Sequence, residues 1–475
     1  MIRALTVVHR LGRNGLLLPP DLLQYKLYGM DWIHWAGCSV LSMGLTFSAV
    51  IPAVAGQIKA GYAKTDVTPQ EPVNMAGYDL RGTPSDGIHG NDKLYVRAVV
   101  FDDGTQRLAI VEGDVIIIRD TDEFRRRIAA ATGIPFANIL LGDVHNHAAP
   151  SPEAKTETKW EQEFDKALVA TVKKAVASLQ PVRIAAGQGR SRIGMNRRHV
   201  RPQDTDSTIT FDENNASQSF GKFNTDNPQK IHEFAGVMRL GANPGGEIDD
   251  AVDVVRIDTI DGKPLAAMIH YACHGTSLGG RNSKISGEWM GRMQEYLEKH
   301  VPGVGSIYLQ GGAGDINPRV VGGLDGYRDN VETTWALGEE IGREVVRVYR
   351  SLQPEPLNAS LEVVSADIQL PRAYRELLEN FRNTVVPAPT TFVRMGDLMW
   401  VTFPGEMFHV IAQRVKQACP ATHAFFMGYT NGYIGYFPEQ KSFAEGGYEP
   451  AVSHLDPAAE GSYMRQIAET LKHFR

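Results

Sequence analysis

Short apolar runs of strand length alternate with amphipathic stretches of helical length along almost the whole chain, and this alternation limits the fold more than any single motif. Strand-like runs occupy 108–112, 139–141, 182–187, 252–257, 266–271, 306–309, 361–369, 392–403 and 424–427. Helical periodicity marks 121–131, 160–178, 289–300, 332–352, 406–418 and 457–472. Because the two kinds interleave with no internal repeat and no break in composition, they predict one large α/β domain over 56–475, a mixed β-sheet with flanking helices. The stretch 201–229, rich in Asp, Asn, Ser and Thr, reads as a surface excursion.

With 43% hydrophobic residues the chain can bury a substantial core, and a net charge of −6 argues against a nucleic-acid surface. Its basic clusters, Arg125 to Arg127 and Arg197-Arg198, are too short to change that. At the N-terminus, Arg3, Arg10, Arg13 and Lys26 precede an apolar stretch from Ile33, and Ala53-Val54-Ala55 offers small residues at cleavage spacing. Residues 1–55 therefore read as a signal peptide cut near Ala55, for a secreted or periplasmic protein with no membrane span afterwards. Met30 is an alternative start. An uncleaved anchor is the rival reading, and the Gly, Ser, Thr and Pro content of the stretch favours cleavage. The mature chain keeps Cys273 and Cys419, read as free thiols.

Chemistry concentrates where apolar runs end. After Ile139-Leu140-Leu141 come His145 and His147, and on an extended backbone residues two apart face the same side. Neutral imidazole is a common zinc ligand, and adjacent rings can divide metal holding from proton movement. His274 follows the run 264–269, and Glu406 follows 398–403 through Pro404-Gly405. Gly428 to Tyr436 is a loop crowded with glycine and tyrosine. Taken singly, each has a plainer reading: Glu406 as a helix first-turn acid, His274 as a core histidine, Tyr436 as a packing residue.

Together and in order, these segments resemble the catalytic domain of the neutral or alkaline non-lysosomal ceramidases. The likeness starts at Ala60-Gly61-Tyr62-Ala63-Lys64-Thr65-Asp66-Val67-Thr68-Pro69 and Met75-Ala76-Gly77-Tyr78. It runs through Leu94 to Ala98, His145 to Pro150, Asn196-Arg197, His274 to Ser277, Gly314-Asp315-Ile316-Asn317-Pro318, Pro404-Gly405-Glu406 and Asn431 to Tyr436, and closes at Gly447 to Ser453. Position by position, the resemblance implies a zinc ion held by His145, His274, Glu406 and Tyr436. It also implies His147 beside the metal, as a proton carrier or as a group that supports the ligands, with Arg197 on the substrate's carbonyl side and Tyr448 lining the pocket. Two neutral nitrogens, a carboxylate and a phenolic oxygen leave room for a further ligand, and Arg197 suits a developing oxyanion.

Three departures qualify that inheritance. Asn317 stands where these ceramidases carry a nucleophilic serine, and a carboxamide cannot serve as an activated alkoxide. Water activated by the metal is the preferred replacement, with Asp315 or His147 taking a proton and Asn317 orienting the substrate; Ser277 is the alternative nucleophile. Second, Ser286-Gly287-Glu288-Trp289-Met290-Gly291 matches a loop that carries Asp in the family, and Glu288 either borders the pocket or merely opens the helix 289–300. Third, the chain is expected to lack the family's C-terminal immunoglobulin-like sandwich, which weakens ceramide as substrate. The expectation is thus a secreted zinc amidohydrolase acting on a small-molecule or lipid-like N-acyl substrate. A silent binding homologue and a metal-dependent hydrolase of a carbohydrate or ester are the rivals.

Overall fold

The computed structural model describes residues 56–78, 84–153, 158–200, 238–321, 331–373 and 384–475. The expected signal peptide, the alternative start at Met30 and the excursion at 201–229 lie outside the described residues.

The first strands are β1 Lys59–Asp66, β2 Tyr95–Asp102, β3 Arg107–Gly113, β4 Ile139–Asp143 and β5 Gln180–Arg190. β6 Gly194–Val200 and β7 Met238–Asn243 follow, then β8 Ala251–Thr259, β9 Pro264–Tyr271 and β10 Gly305–Gln310. β11 Ile316–Pro318 joins β6 and β7 in a small sheet, and β12 Glu355–Pro356 lies beside β5. The largest sheet has nine strands, in the order β10-β9-β8-β5-β1-β2-β3-β4 with β12 off the path. A second sheet, of four strands, comprises β13 Leu361–Pro371, β14 Val385–Met395, β15 Leu398–Thr402 and β17 His423–Met427. The pair β16 Glu406–Met407 and β18 Tyr436–Phe437 completes the set.

Most pairings are antiparallel, but β3–β4, β9–β10, β15–β17 and the short β16–β18 are parallel. Parallel neighbours need a crossover, and each of the three longer pairs has a helix for it: Thr121–Thr132, Glu288–His300 and His409–Ala418. This arrangement aims the C-terminal ends of those strands at a common crevice, the usual ligand position in α/β sheets. His145 follows β4, His274 follows β9, Asp315 follows β10, Glu406 follows β15 and the tyrosine loop follows β17.

Alternating side chains build the layers. In β9, Ala266 and Met268 enter one core while Ala267, Ile269 and Tyr271 enter another, and in β15 Leu398 and Trp400 part from Met399 and Val401 in the same way. The shared core joins the inner faces of both sheets, including Phe101, Ile110, Met268, Ile307, Trp400 and Phe425. Helices cover the outer faces: Thr121–Thr132 and Lys159–Ala177 on β2 to β4, Glu288–His300 and Val331–Ser351 on β8 to β10, His409–Ala418 and Ala459–Thr470 on the second sheet. Strands covered on both faces read as continuous apolar runs, which is why β4, β9, β10 and β15 were legible.

Two expectations need correction. The single strand at 392–403 is a hairpin, turned at Gly396 with φ 59°, a left-handed conformation that glycine adopts without a Cβ clash. The helix expected from 406 begins only at His409, because Glu406 and Met407 form β16 and pair with β18. Cys273 and Cys419 are both buried free thiols, as expected. Among the described residues, no helix is long and apolar enough to cross a membrane.

Candidate metal centre

His145 leaves β4 in a left-handed conformation, φ 54°, which turns its ring out of the strand direction and toward the crevice. Its Nδ1 faces the Ile116 carbonyl at 2.9 Å. His274 Nδ1 likewise faces the carbonyls of Ala313 at 2.7 Å and Ile316 at 3.1 Å. A carbonyl accepts only, so in both rings the proton sits on Nδ1 and the Nε2 lone pair points inward. The Nε2 atoms converge: His145 and His147 lie 3.2 Å apart, and Glu406 Oε2 stands 2.9 Å from His274 and 3.5 Å from His145. His145, His147 and His274 offer ligand atoms all within 4.8 Å of one another, a cluster able to hold a metal ion.

The loops that carry them are zipped together. Asn146 bridges Gly275 in parallel register, and the His147 N–H donates to the Gly275 carbonyl at 2.9 Å. A Cβ at Gly275 would meet the His145 carbonyl at 2.9 Å, so only glycine permits this approach. Glu406 is register partner to Tyr436 across β16–β18, which puts carboxylate and phenol side by side.

Charge is organised to match. Burial, with Arg197 nearby, lowers the His274 pKa to about 4, so the ring is neutral at physiological pH. Burial would raise the Glu406 carboxyl, but the His145 and His274 imidazoles outweigh it and hold it well below its ordinary value. Burial and then Glu406 push the Tyr436 phenol far up. A neutral His274 ring beside an ionised carboxylate is a protonation state that suits a divalent cation.

A family model described as neutral/alkaline non-lysosomal ceramidase, N-terminal, matches residues 58–332. The chain belongs to that family. Neutral ceramidases A and B of Dictyostelium discoideum are 26% and 24% identical to it, over 68% and 67% of this chain but 46% and 45% of theirs. The chain thus spans less than half the length of these curated relatives. Its fold is that of solved structures titled as ceramidase complexed with C2 (TM-score 0.69) and neutral ceramidase from Pseudomonas aeruginosa (TM-score 0.67). Each is 18% identical and covers 88% of this chain and 75% of its own.

Around the imidazoles of this ceramidase-family chain, Arg197 is held by Glu449, Nε to Oε1 at 2.8 Å, with Nη1 at 3.3 Å from both His274 Nε2 and Asn317 Oδ1. Tyr436 lies under its guanidinium at 5.4 Å and meets Tyr448 edge-on at 5.3 Å. Asn317 Oδ1 also accepts from Thr276 Oγ1 at 3.3 Å. Of the residues singled out from sequence, His145, His147, His274, Glu406, Tyr436, Arg197, Tyr448 and Asn317 are brought together. Asp315 is not: His409 engages both its oxygens, through N at 2.9 Å and Nδ1 at 2.8 Å. Glu288 opens the helix Glu288–His300, and its carboxylate accepts from the Ser277 hydroxyl and from the Leu278 N–H at 2.8 Å. Sequence reasoning passed over Tyr429, stacked on His145 at 4.4 Å, and Tyr433, whose hydroxyl donates to Glu406 Oε1. Both sit in the glycine and tyrosine loop already noticed, but no periodicity tells which tyrosine of such a loop faces inward.

Proposed function

We propose that the chain is a secreted zinc-dependent hydrolase of a linear N-acyl amide bond, in ceramide or another N-acylated compound, in which water replaces the covalent nucleophile. The observation that carries this reading is the convergence of two Nδ1-protonated imidazoles on one oxygen of Glu406. His145, His274, Glu406 and Tyr436 would hold the zinc, a nitrogen and oxygen donor set that suits it. Zinc bound there supplies a Lewis acid that polarises a carbonyl and acidifies water.

The chain's own groups do the rest. His147, partly exposed beside His145, is positioned to accept a proton from attacking water and return it to the leaving amine. Arg197 carries a fixed positive charge for the oxyanion. Its guanidinium is oriented by Glu449, a buried pairing that costs no reorganisation during reaction. Asn317 has no hydroxyl to acylate; with its carbonyl directed at Arg197 and Thr276, its amide group is left to orient the substrate. Tyr448 lines the same wall. Asp315, given a place in proton transfer by the sequence reading, acts on this geometry through His409 and through its carbonyl, which accepts from the Arg197 N–H at 2.9 Å.

The test is metal analysis combined with turnover of ceramides and other N-acyl compounds, alongside esters and glycosides. Zinc content with amide cleavage is the expected result. Bound zinc with no hydrolysis of any amide would instead select the silent binding protein, which the loss of the serine at Asn317 favours; ester or sugar cleavage alone would select the other rival.

A further inference from the structure

Glu406 uses its two oxygens differently. Oε2 faces both imidazoles, whereas Oε1 accepts the hydroxyl of Tyr433. Tyr433 is also out of character with its loop: it is 39% exposed, while Tyr429, Thr430, Asn431 and Tyr436 are buried. Its ring runs parallel to that of His145, 6.5 Å away with 20° between planes, so it forms the outer wall beside the imidazoles.

The loop that presents it is fastened on two sides. Asn431 donates its N–H to the Leu141 carbonyl at 2.8 Å and accepts the Leu141 N–H on Oδ1 at 2.9 Å, four residues before His145. Tyr429, Thr430 and Ile434 donate to the carbonyls of Gly405, Phe403 and Pro404, and Glu406 donates back to Gly435 at 2.9 Å. Two non-glycine residues, Tyr429 and Asn431, are held at positive φ, 54° and 63°. Such strain persists only where surrounding contacts over-determine it. The loop therefore ties the strand of one imidazole to the turn of the carboxylate, with the Tyr433 hydroxyl at the junction.

We propose that Tyr433 is a positioning residue that occupies Oε1 of Glu406 and so leaves the carboxylate a single oxygen with which to meet a metal ion. The inference rests on the reading of Glu406 as a ligand. A carboxylate free to rotate offers either one or two oxygens, and a four-coordinate zinc site is better served by one that is held. Outer partners of this kind typically contribute 10–100-fold in metal affinity. The effect of Tyr433 on the metal runs through Glu406.

Zinc affinity of the full chain, measured by competition with a chromogenic chelator, tests this with Tyr433→Phe and Glu406→Ala side by side. Tyr433→Phe keeps the ring, and is expected to weaken zinc binding by about 10–100-fold while leaving the unfolding temperature of the metal-free protein unchanged. Turnover of Tyr433→Phe is then expected to recover at saturating zinc. Wild-type zinc affinity in Tyr433→Phe, with Glu406→Ala strongly weakened, overturns the positioning role alone. A turnover defect that saturating zinc does not relieve overturns it too, since it makes Tyr433 a substrate contact. Unchanged affinity in Glu406→Ala overturns the ligand reading as well.

Discussion

His270 and His274 stand four positions apart at the end of β9, both buried, both near carboxylates and a cation, yet only one is equipped to bind anything. His270 has both nitrogens occupied, Nδ1 by Asp253 at 3.0 Å and Nε2 by the Phe426 carbonyl at 2.8 Å. Asp253 in turn receives Gln188 at 2.7 Å and Lys416 at 3.4 Å. Every charge there has a partner, and burial is outweighed by His270 and Lys416, which hold the Asp253 carboxyl far below its ordinary value. At His274 only Nδ1 is taken by backbone; Nε2 meets Glu406 Oε2 and Arg197 Nη1, the groups proposed above to meet a metal and a substrate. A saturated buried network stabilises one arrangement, and an unsaturated one is a site.

Breaking the saturated network is expected to cost the most. Asp253→Ala leaves His270 Nδ1 without its carboxylate in the interior, while Lys416 keeps Asp249 at 3.1 Å, and chemical denaturation should register a loss of about 3–5 kcal/mol, with zinc affinity intact. Within the crevice the cation has a different duty: Arg197→Met should reduce kcat for the amide substrate by roughly 10²–10³-fold. Lys416→Met should leave kcat alone. Equal effects of the two on turnover would erase the distinction.

The two histidines then separate by ligand-induced stabilisation. In wild type, zinc at a hundredfold excess over its Kd should raise stability by about 2.7 kcal/mol. His274→Ala should abolish that increment, whereas His270→Ala should lower the baseline and keep it. Calorimetry with and without zinc reads both.

The smallest effect concerns Asp315, which lies between the two regions. Burial would raise its carboxyl, but His409 outweighs it and lowers it from 3.8; burial would lower His409, but Asp315 outweighs it and raises it from 6.5. A depressed carboxyl stabilises above its unfolded value and loses this as pH falls through the folded one. A raised imidazole stabilises below its unfolded value and loses this as pH rises through the folded one. The advantage of wild type over Asp315→Asn should therefore peak between pH 3.8 and 6.5. Its size there should be about 1.5–3 kcal/mol. A difference flat with pH would show that the pair does not titrate as a unit.

Much of this was written in the chain, and the legible parts share a cause. Strands covered on both faces, such as β4, β9 and β10, are unbroken apolar runs, and a polar residue at the end of each stands out. β1 reads Lys-Ala-Gly-Tyr-Ala-Lys-Thr-Asp, half exposed and mixed in character, and no apolar run announces it. Gly396 was visible as a residue, but only the pairing of Met395 with Leu398 makes it a turn rather than an interruption.

The sequence by itself determined the class of the fold and the order of the polar tips, because apolar periodicity and the ordered family motifs are local properties of the chain. Tertiary structure alone decided which tips face one another: that Asp315 turns to His409, that Glu449 takes Arg197, that Tyr433 ends on Glu406. Those pairings join residues between 27 and 252 positions apart. A side chain's partner at such separations is set by how strands cross and layers pack, which no local pattern encodes.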